Sequence, residues 1–227
     1  MIVVAVIPAY EAAATVGAVV EATRRLLPEV LVVDDGSCDG TGDAARSAGA
    51  RLLRLDSNRG KGRALRAGFS LALDMGASAV VTLDADGQHE PTEIPRLLHR
   101  WQSTGAALVI GSRTDVEAQM TPARRFGYRF SRRAISFFAG IRVQDTQSGF
   151  RLYAASLLKE IRLRGTRYEL ESEVIVKAAR TGLRVESVPI RLARVDGTAT
   201  SHFRPWRDTT RICRIVVSSR FRREGCS

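Results

Sequence analysis

Residues 80–89 read Val-Val-Thr-Leu-Asp-Ala-Asp-Gly-Gln-His, a short apolar run that breaks into two carboxylates one residue apart, a glycine and two polar side chains. A continuous β-branched run that stops abruptly at acids is the pattern of a strand buried on both faces, with its polar groups emerging at the carboxyl end. The same pattern occurs twice upstream, where Ile2 to Ile7 runs into Pro8-Ala9-Tyr10-Glu11 and Val30 to Val33 runs into Asp34-Asp35-Gly36-Ser37. Ala107 to Ile110 is a further run, and Arg51 to Leu55 a shorter one. Between them, Ala12 to Leu27, Thr41 to Gly49, Gly60 to Met75 and Thr92 to Trp101 carry apolar residues at helical spacing with Gly or Pro at their ends. This alternation predicts an α/β fold, a Rossmann-like, mostly parallel sheet with helices on both faces. In such a sheet, ligands bind beyond the carboxyl ends of the strands, where the acidic clusters fall.

After residue 113 the rhythm changes. Thr121 to Gly140 predicts an amphipathic helix with Phe126, Phe130, Phe137 and Phe138 on one side and Arg124, Arg125, Arg129, Arg132 and Arg133 elsewhere around it. The turn-rich segment Gln144 to Phe150 follows, then a helix over Leu170 to Thr181, a strand over Val185 to Val195 and a second Arg-rich amphipathic helix over Pro205 to Arg222.

The 227 residues are 44% hydrophobic and 26% charged, which excludes a disordered or collagen-like chain and fits one sizeable core. Thirty-five basic against 24 acidic residues leave a formal net charge of +11, carried almost wholly by Arg, since the only lysines are Lys61, Lys159 and Lys177. That balance calls for an anionic partner: nucleic acid, anionic lipid or a phosphorylated substrate. Cys38, Cys213 and Cys226 are scattered and odd in number, which fits a reducing, cytoplasmic compartment better than a disulfide framework. Met1 to Ile7 lacks the basic flank of a signal peptide, and no apolar run approaches the roughly 18 residues a spanning helix needs.

Asp84 and Asp86 could together grip a hard divalent cation, with Gln88 adding a neutral oxygen; the same residues could equally form a capped turn around Gly87. Asp34 and Asp35 carry the same ambiguity, and Asp39 reads as a turn or cap residue. Asn58-Arg59-Gly60-Lys61-Gly62 puts a Gly-flanked cation at a helix start, a place that favours anions, but it is neither a Walker A motif nor GxGxxG. His89, His99 and His202 are too dispersed for a zinc triad, and His99 reads as a surface helix residue. No GxSxG elbow offers a covalent nucleophile.

Taken in order, VIPAYEA, VVDDGSCDGT, NRGKG, TLDADGQHEP, IGSR, DTQSGFR and SHFRPW resemble the family 2 glycosyltransferases of the GT-A fold, and among them the polyprenyl-phosphate branch that includes dolichyl-phosphate mannose synthase. The resemblance implies a single glycosyltransferase domain over residues 1–227: a nucleotide-sugar-binding half (1–113), an acceptor-side half (114–204) and a C-terminal amphipathic helix (205–227). It implies that Pro8, Ala9, Tyr10, Glu11 and Asp35, with the Val33 backbone, hold the base and ribose of a GDP- or UDP-linked sugar. Asp84, Ala85 and Asp86 then engage the ribose and diphosphate through Mg²⁺ or Mn²⁺, with Gln88 as a further metal contact and Lys61, Arg113 and Arg194 on the donor.

By the same resemblance, Arg113, Arg125, Arg129, Ser131, Ser148 and His202 receive an acceptor phosphate, and Asp86 and Asp145 are catalytic. The implied reaction inverts the anomeric carbon. Its acceptor is a polyprenyl phosphate at the inner face of a membrane, reached through the Arg-rich helices or through a membrane-protein partner. A soluble saccharide or small metabolite is the alternative acceptor, with Asp145 as general base. A basic nucleic-acid-binding protein is a remote alternative, disfavoured because the acids cluster where a nucleotide would sit and no nucleic-acid motif is present. The chain departs from the family's PxYNE, with Glu11 where Asn is usual and Ala12 where the acid is usual.

Overall fold

The structure is a computed structural model that describes residues 1–113 and 120–193. Among these residues, β1 (Val3–Ala9), β2 (Glu29–Asp34), β3 (Arg51–Arg54), β4 (Ala79–Thr82), β5 (Leu108–Arg113), β6 (Arg151–Ala154) and β7 (Val185–Ile190) form one sheet in the order β3-β2-β1-β4-β6-β5-β7. The helices are α1 (Ala13–Arg24), α2 (Thr41–Ser47), α3 (Lys61–Asp74), α4 (Ile94–Thr104), α5 (Pro122–Ala139), α6 (Ala155–Glu160) and α7 (Glu169–Arg180).

The continuous apolar runs become strands covered on both sides. Along β1, Val4 and Val6 pack with Leu65 and Phe69 of α3 and Val174 of α7, while Val3, Ala5 and Ile7 pack with Val16 and Val20 of α1 and Leu97 of α4. Period-two alternation therefore feeds two hydrophobic layers, and no residue of the run has a solvated face.

Every strand is parallel to its neighbours except β6, which pairs antiparallel with both β4 and β5. This strand was not expected from the sequence: four residues beginning with an arginine, wedged between a turn and a helix, are too short to show a period. Its reversal matters to the site. The turn before an antiparallel strand lies at the edge where the parallel strands end, so residues 145–150 join the loops after β1, β2, β4 and β5.

Arg151 fastens that turn. Its guanidinium is fully buried and donates to the carbonyls of Ser148 (2.7 Å), Thr146 (2.9 Å) and Glu171 (2.6 Å). One cation thus closes the turn and ties it to the first turn of α7.

The sheet and its flanking helices bear out the expected fold, with two adjustments. Phe126, Phe130 and Phe137 of α5 are exposed (74, 57 and 80%), but Phe138 turns inward against the core, where Ile135 and Ala139 also pack. The expected strand to Val195 ends at Ile190. The Pro205 to Arg222 helix lies outside the described residues, as do Arg194 and His202.

Replacing Arg151 with Met would strand three buried carbonyls. The expected loss is about 3 kcal/mol or more, since bonds to a charged donor contribute about 1.5–3 kcal/mol each; urea unfolding of the variant beside the parent measures it.

Candidate active site

The β1 and β2 loops form one wall. Asp34 is fully buried; Oδ1 accepts the Ser37 amide (2.9 Å) and Oδ2 lies 3.9 Å from the Arg54 guanidinium. Asp35 turns the other way, accepting the amides of Gly60 (2.7 Å) and Arg59 (3.1 Å), so it tethers the Asn58–Gly62 loop to the sheet. Asp39 is a turn residue, as expected: it accepts the Thr41 hydroxyl and amide and the Ala13 amide, and the Thr41 hydroxyl bond holds its carboxyl below the usual range.

Glu11 has a left-handed backbone with φ of 49°, the only non-glycine residue with positive φ among those described. Its amide donates to Ser37 Oγ (2.9 Å), and its carboxylate accepts the Cys38 amide (2.8 Å). Asn enters the left-handed region more readily than Glu, which gives the departure from PxYNE a backbone cost that the Cys38 bond offsets.

At the centre, Lys61, the first residue of α3, places Nζ 2.6 Å from Asp84 Oδ1 and 2.8 Å from Glu171 Oε1. Gly149 backs directly onto this pair: a Cβ there would fall 2.7 Å from Nζ and 2.8 Å from Asp84 Oδ2. Any side chain there would have to displace the paired Lys61 and Asp84 groups. Burial opposes the charge on Asp84, but Lys61 above all, with Arg113, outweighs it and holds the carboxyl down at about 2. Burial likewise opposes the charge on Lys61, and its two carboxylates overcome it and push its value up. His89, stacked on Phe150, accepts the Asp84 amide through Nδ1 (3.1 Å), and burial pushes its value down, so the ring is neutral.

Asp86 accepts the Gln88 amide through one oxygen (3.0 Å). Among the described residues no three His, Cys, Asp or Glu side chains converge as a metal cluster. Two aspartates and Gln88 are hard oxygen donors all the same, and a Mg²⁺- or Mn²⁺-type ion that leaves positions for substrate phosphates needs no more from the protein. The donor chemistry fits such an ion.

Beside this cluster, Arg113 at the end of β5 grips Asp145 in a forked pair, Nε to Oδ2 at 2.7 Å and Nη2 to Oδ1 at 3.1 Å. Asp145 is buried and also accepts the Gln147 and Ser148 amides. Burial works against its ionisation, yet the Arg113 bond holds its carboxyl below the usual range. The adjacent Tyr128 phenol is pushed up, first by burial and then by Asp145.

Residues 4–162 match the family model described as Glycosyl transferase family 2. The chain belongs to this family. An undecaprenyl-phosphate mannosyltransferase of Micrococcus luteus is 34% identical over 208 residues, covering 84% of this chain and 83% of that protein. A polyprenol monophosphomannose synthase of Mycolicibacterium smegmatis is 33% identical over 199 residues, covering 82% and 75%. A glucosyl-3-phosphoglycerate synthase of Mycobacterium tuberculosis, solved with Mn²⁺, UDP and phosphoglyceric acid, superposes with a TM-score of 0.77 at 19% identity, covering 99% of this chain and 80% of that one. The fold is therefore GT-A-like and the protein is a nucleotide-sugar glycosyltransferase.

In this glycosyltransferase Lys61, Asp84, Ala85, Asp86, Gln88, Arg113 and Asp145 meet at one edge of the sheet. Pro8 and Ala9 end β1 beside them, Val33 is buried in β2, and Tyr10 is partly exposed at the rim. Ser148 is buried, with its hydroxyl accepting the Phe150 amide (3.3 Å). Ser131 is buried on α5, Arg125 bonds the Met120 carbonyl (3.2 Å), and Arg129 lies on the exposed side of the same helix. His99 is exposed on α4, as expected.

Two residues central to the site were not singled out from the sequence, Glu171 and Arg151. The alternating acids Glu169, Glu171 and Glu173 were the available signal, but acids in a first helical turn ordinarily serve the dipole. Two of them fasten the preceding loop, Glu173 accepting the Gly165 amide (2.8 Å) and Glu169 the Thr166 amide (3.0 Å).

Asp145→Ala leaves Arg113 without its partner and should cost about 3 kcal/mol at pH 7. The Asp145 value is lowered on folding from 3.8, so its stabilisation is complete above that pH and is lost as pH falls below it. Chemical unfolding at stepped pH should show the gap between parent and variant closing below about pH 4.

Proposed function

We propose that the protein moves a hexose, with inversion, from a GDP- or UDP-linked donor to a polyprenyl phosphate at an anionic membrane surface, acting as one domain. The observation that carries the acceptor choice is the Arg113–Asp145 pair. A hydroxyl acceptor needs a base, and the acid expected to serve, Asp145, is buried, forked to Arg113 and held below the usual carboxylate range by that bond. A phosphate acceptor is an anion at neutral pH and needs only positioning. Asp145 then acts as a positioning residue, orienting the Arg113 guanidinium towards phosphate oxygens. The 33–34% identity to proteins named for undecaprenyl and polyprenol phosphate substrates supports the same choice.

On the donor side, Asp84, Asp86 and Gln88 would hold Mg²⁺ or Mn²⁺, which supplies charge to stabilise the departing diphosphate. Pro8, Ala9, Tyr10, Glu11 and Asp35 line the wall for base and ribose, with the Val33 backbone. Lys61, at the positive end of α3, faces the phosphates. Arg125, Arg129, Ser131 and Ser148 would complete the acceptor side, with Arg194 and His202 from outside the described residues.

The proposed membrane contact is α5. Phe126, Phe130 and Phe137, at positions i, i+4 and i+11, fall on one stripe of the helix, and Arg129 and Arg133 flank them. Among the described residues no helix is long and apolar enough to cross a membrane, so an exposed aromatic stripe bordered by Arg suits a helix lying in the headgroup layer.

Thermal unfolding with Mn²⁺ plus UDP or GDP tests the donor site. One nucleotide should raise the midpoint by about 5 °C or more at saturating ligand, a chelator should remove the rise, and Asp86→Ala should abolish it. A full rise in Asp86→Ala would exclude the metal assignment. For the acceptor side, sedimentation with phosphatidylglycerol vesicles should be about tenfold weaker for a Phe126→Ser/Phe130→Ser/Phe137→Ser protein. Equal binding by both proteins would move the membrane contact elsewhere.

A further inference from the structure

The central cation is placed against two general preferences. Lys61 opens α3, a 14-residue helix, and the N-terminus of a helix already carries partial positive charge that disfavours a lysine. The side chain is also largely withdrawn from water, at 18% exposure. Two carboxylates compensate it, and they differ in kind. Asp84 is 30% exposed and faces the open site, whereas Glu171 is 5% exposed and lies behind it on α7. The Gly149 backbone closes the third side, and the Tyr168 ring stands 6.0 Å from Nζ. The ammonium is held between two carboxylates, and Glu171 remains its anionic partner when the charge of Asp84 is shared with something else.

We propose that Lys61, anchored by Glu171, makes divalent-cation binding at Asp84 and Asp86 conditional on a nucleoside diphosphate. This rests on the donor-site assignment made under the proposed function. A bare cation approaching Asp84 must share its carboxylate with an ammonium already 2.6 Å from Oδ1, beside a positive helix end. A diphosphate brings the negative charge that offsets both cations at once. Metal and nucleotide then each raise the other's affinity by the same factor, as linkage requires. Glu171 sets the size of that factor: its charge stabilises Lys61 in place without occupying the open side of the site. Free metal in the cell is thereby kept from filling the site ahead of the donor.

The test measures Mn²⁺ binding by the spin-resonance signal of the free ion, with and without UDP or GDP, on the full chain and without acceptor or turnover. In the parent protein one nucleotide should tighten Mn²⁺ binding by about tenfold or more. The Lys61→Met/Glu171→Gln protein, which removes one charge of each sign, should bind bare Mn²⁺ more tightly and lose most of the nucleotide enhancement. Glu171→Gln alone keeps the Lys61–Asp84 pair and should move the other way, with weaker bare binding and a larger enhancement.

An enhancement equal to the parent's in both variants would overturn the role of Lys61 and Glu171 while leaving the donor site standing. Absence of Mn²⁺ binding by the parent with either nucleotide would instead overturn the donor-site assignment, and this inference with it. Should the double variant fail to fold, the direction of change in Glu171→Gln decides alone.

Discussion

A guanidinium cannot shed its charge inside a protein, so burying one obliges the chain to surround it with acceptors. Arg151 meets that demand with three backbone carbonyls, two from the turn before β6 and one from the first turn of α7. The two segments must therefore meet, and the rest of the site follows from their meeting. The turn carries Asp145 and Gly149, and α7 carries Glu171. Once joined, they close on Lys61 and Asp84, which arrive from the start of α3 and the loop after β4. A neutral side chain of similar size would fill the space without enforcing the join.

Charge is arranged around that join in a compact triad, Lys61 with Asp84 and Glu171, and a pair, Arg113 with Asp145. Carboxylates hold each cation in place, and those beside Lys61 keep it charged against its burial. The cost of desolvating such groups is recovered only if their geometry is well determined, and the loop tethers through Asp35, Glu169 and Glu173 supply that determination. The result is a fixed cationic lining beside an acidic turn, suited to a substrate that is itself a polyanion carrying a metal. Stabilising a leaving diphosphate calls for such preorganised charge more than for a strong base.

The helix α5 serves both sides of the molecule. Its inner face, with Tyr128, Ile135, Phe138 and Ala139, completes the core layer and brings Tyr128 to the Arg113–Asp145 pair, while its outer stripe leaves three phenylalanines in solvent. Three large exposed rings on one stripe are costly in water, and the helix that carries them also supports the site.

The sequence alone was enough to determine the strand rhythm, the helices between strands and the acidic clusters at the strand ends, because continuous β-branched runs and helical spacing are local patterns. Its ordered motifs also pointed to family 2, and Asp84, Asp86, Lys61, Arg113 and Asp145 do gather at one edge. What local pattern could not convey was pairing. Asp35, expected at the base, also tethers a loop, and Asp145, expected near the reaction, is also paired with Arg113. Phe138 was grouped with the exposed rings, yet one residue of helical rotation turns it into the core. The reversed β6, the buried Arg151 and the Glu171 behind Lys61 depend on contacts between residues from 20 to 110 positions apart, since Arg151 bonds Glu171 and Lys61 pairs with Glu171. Such contacts leave no periodic trace in the chain, and only the packed tertiary structure could decide them.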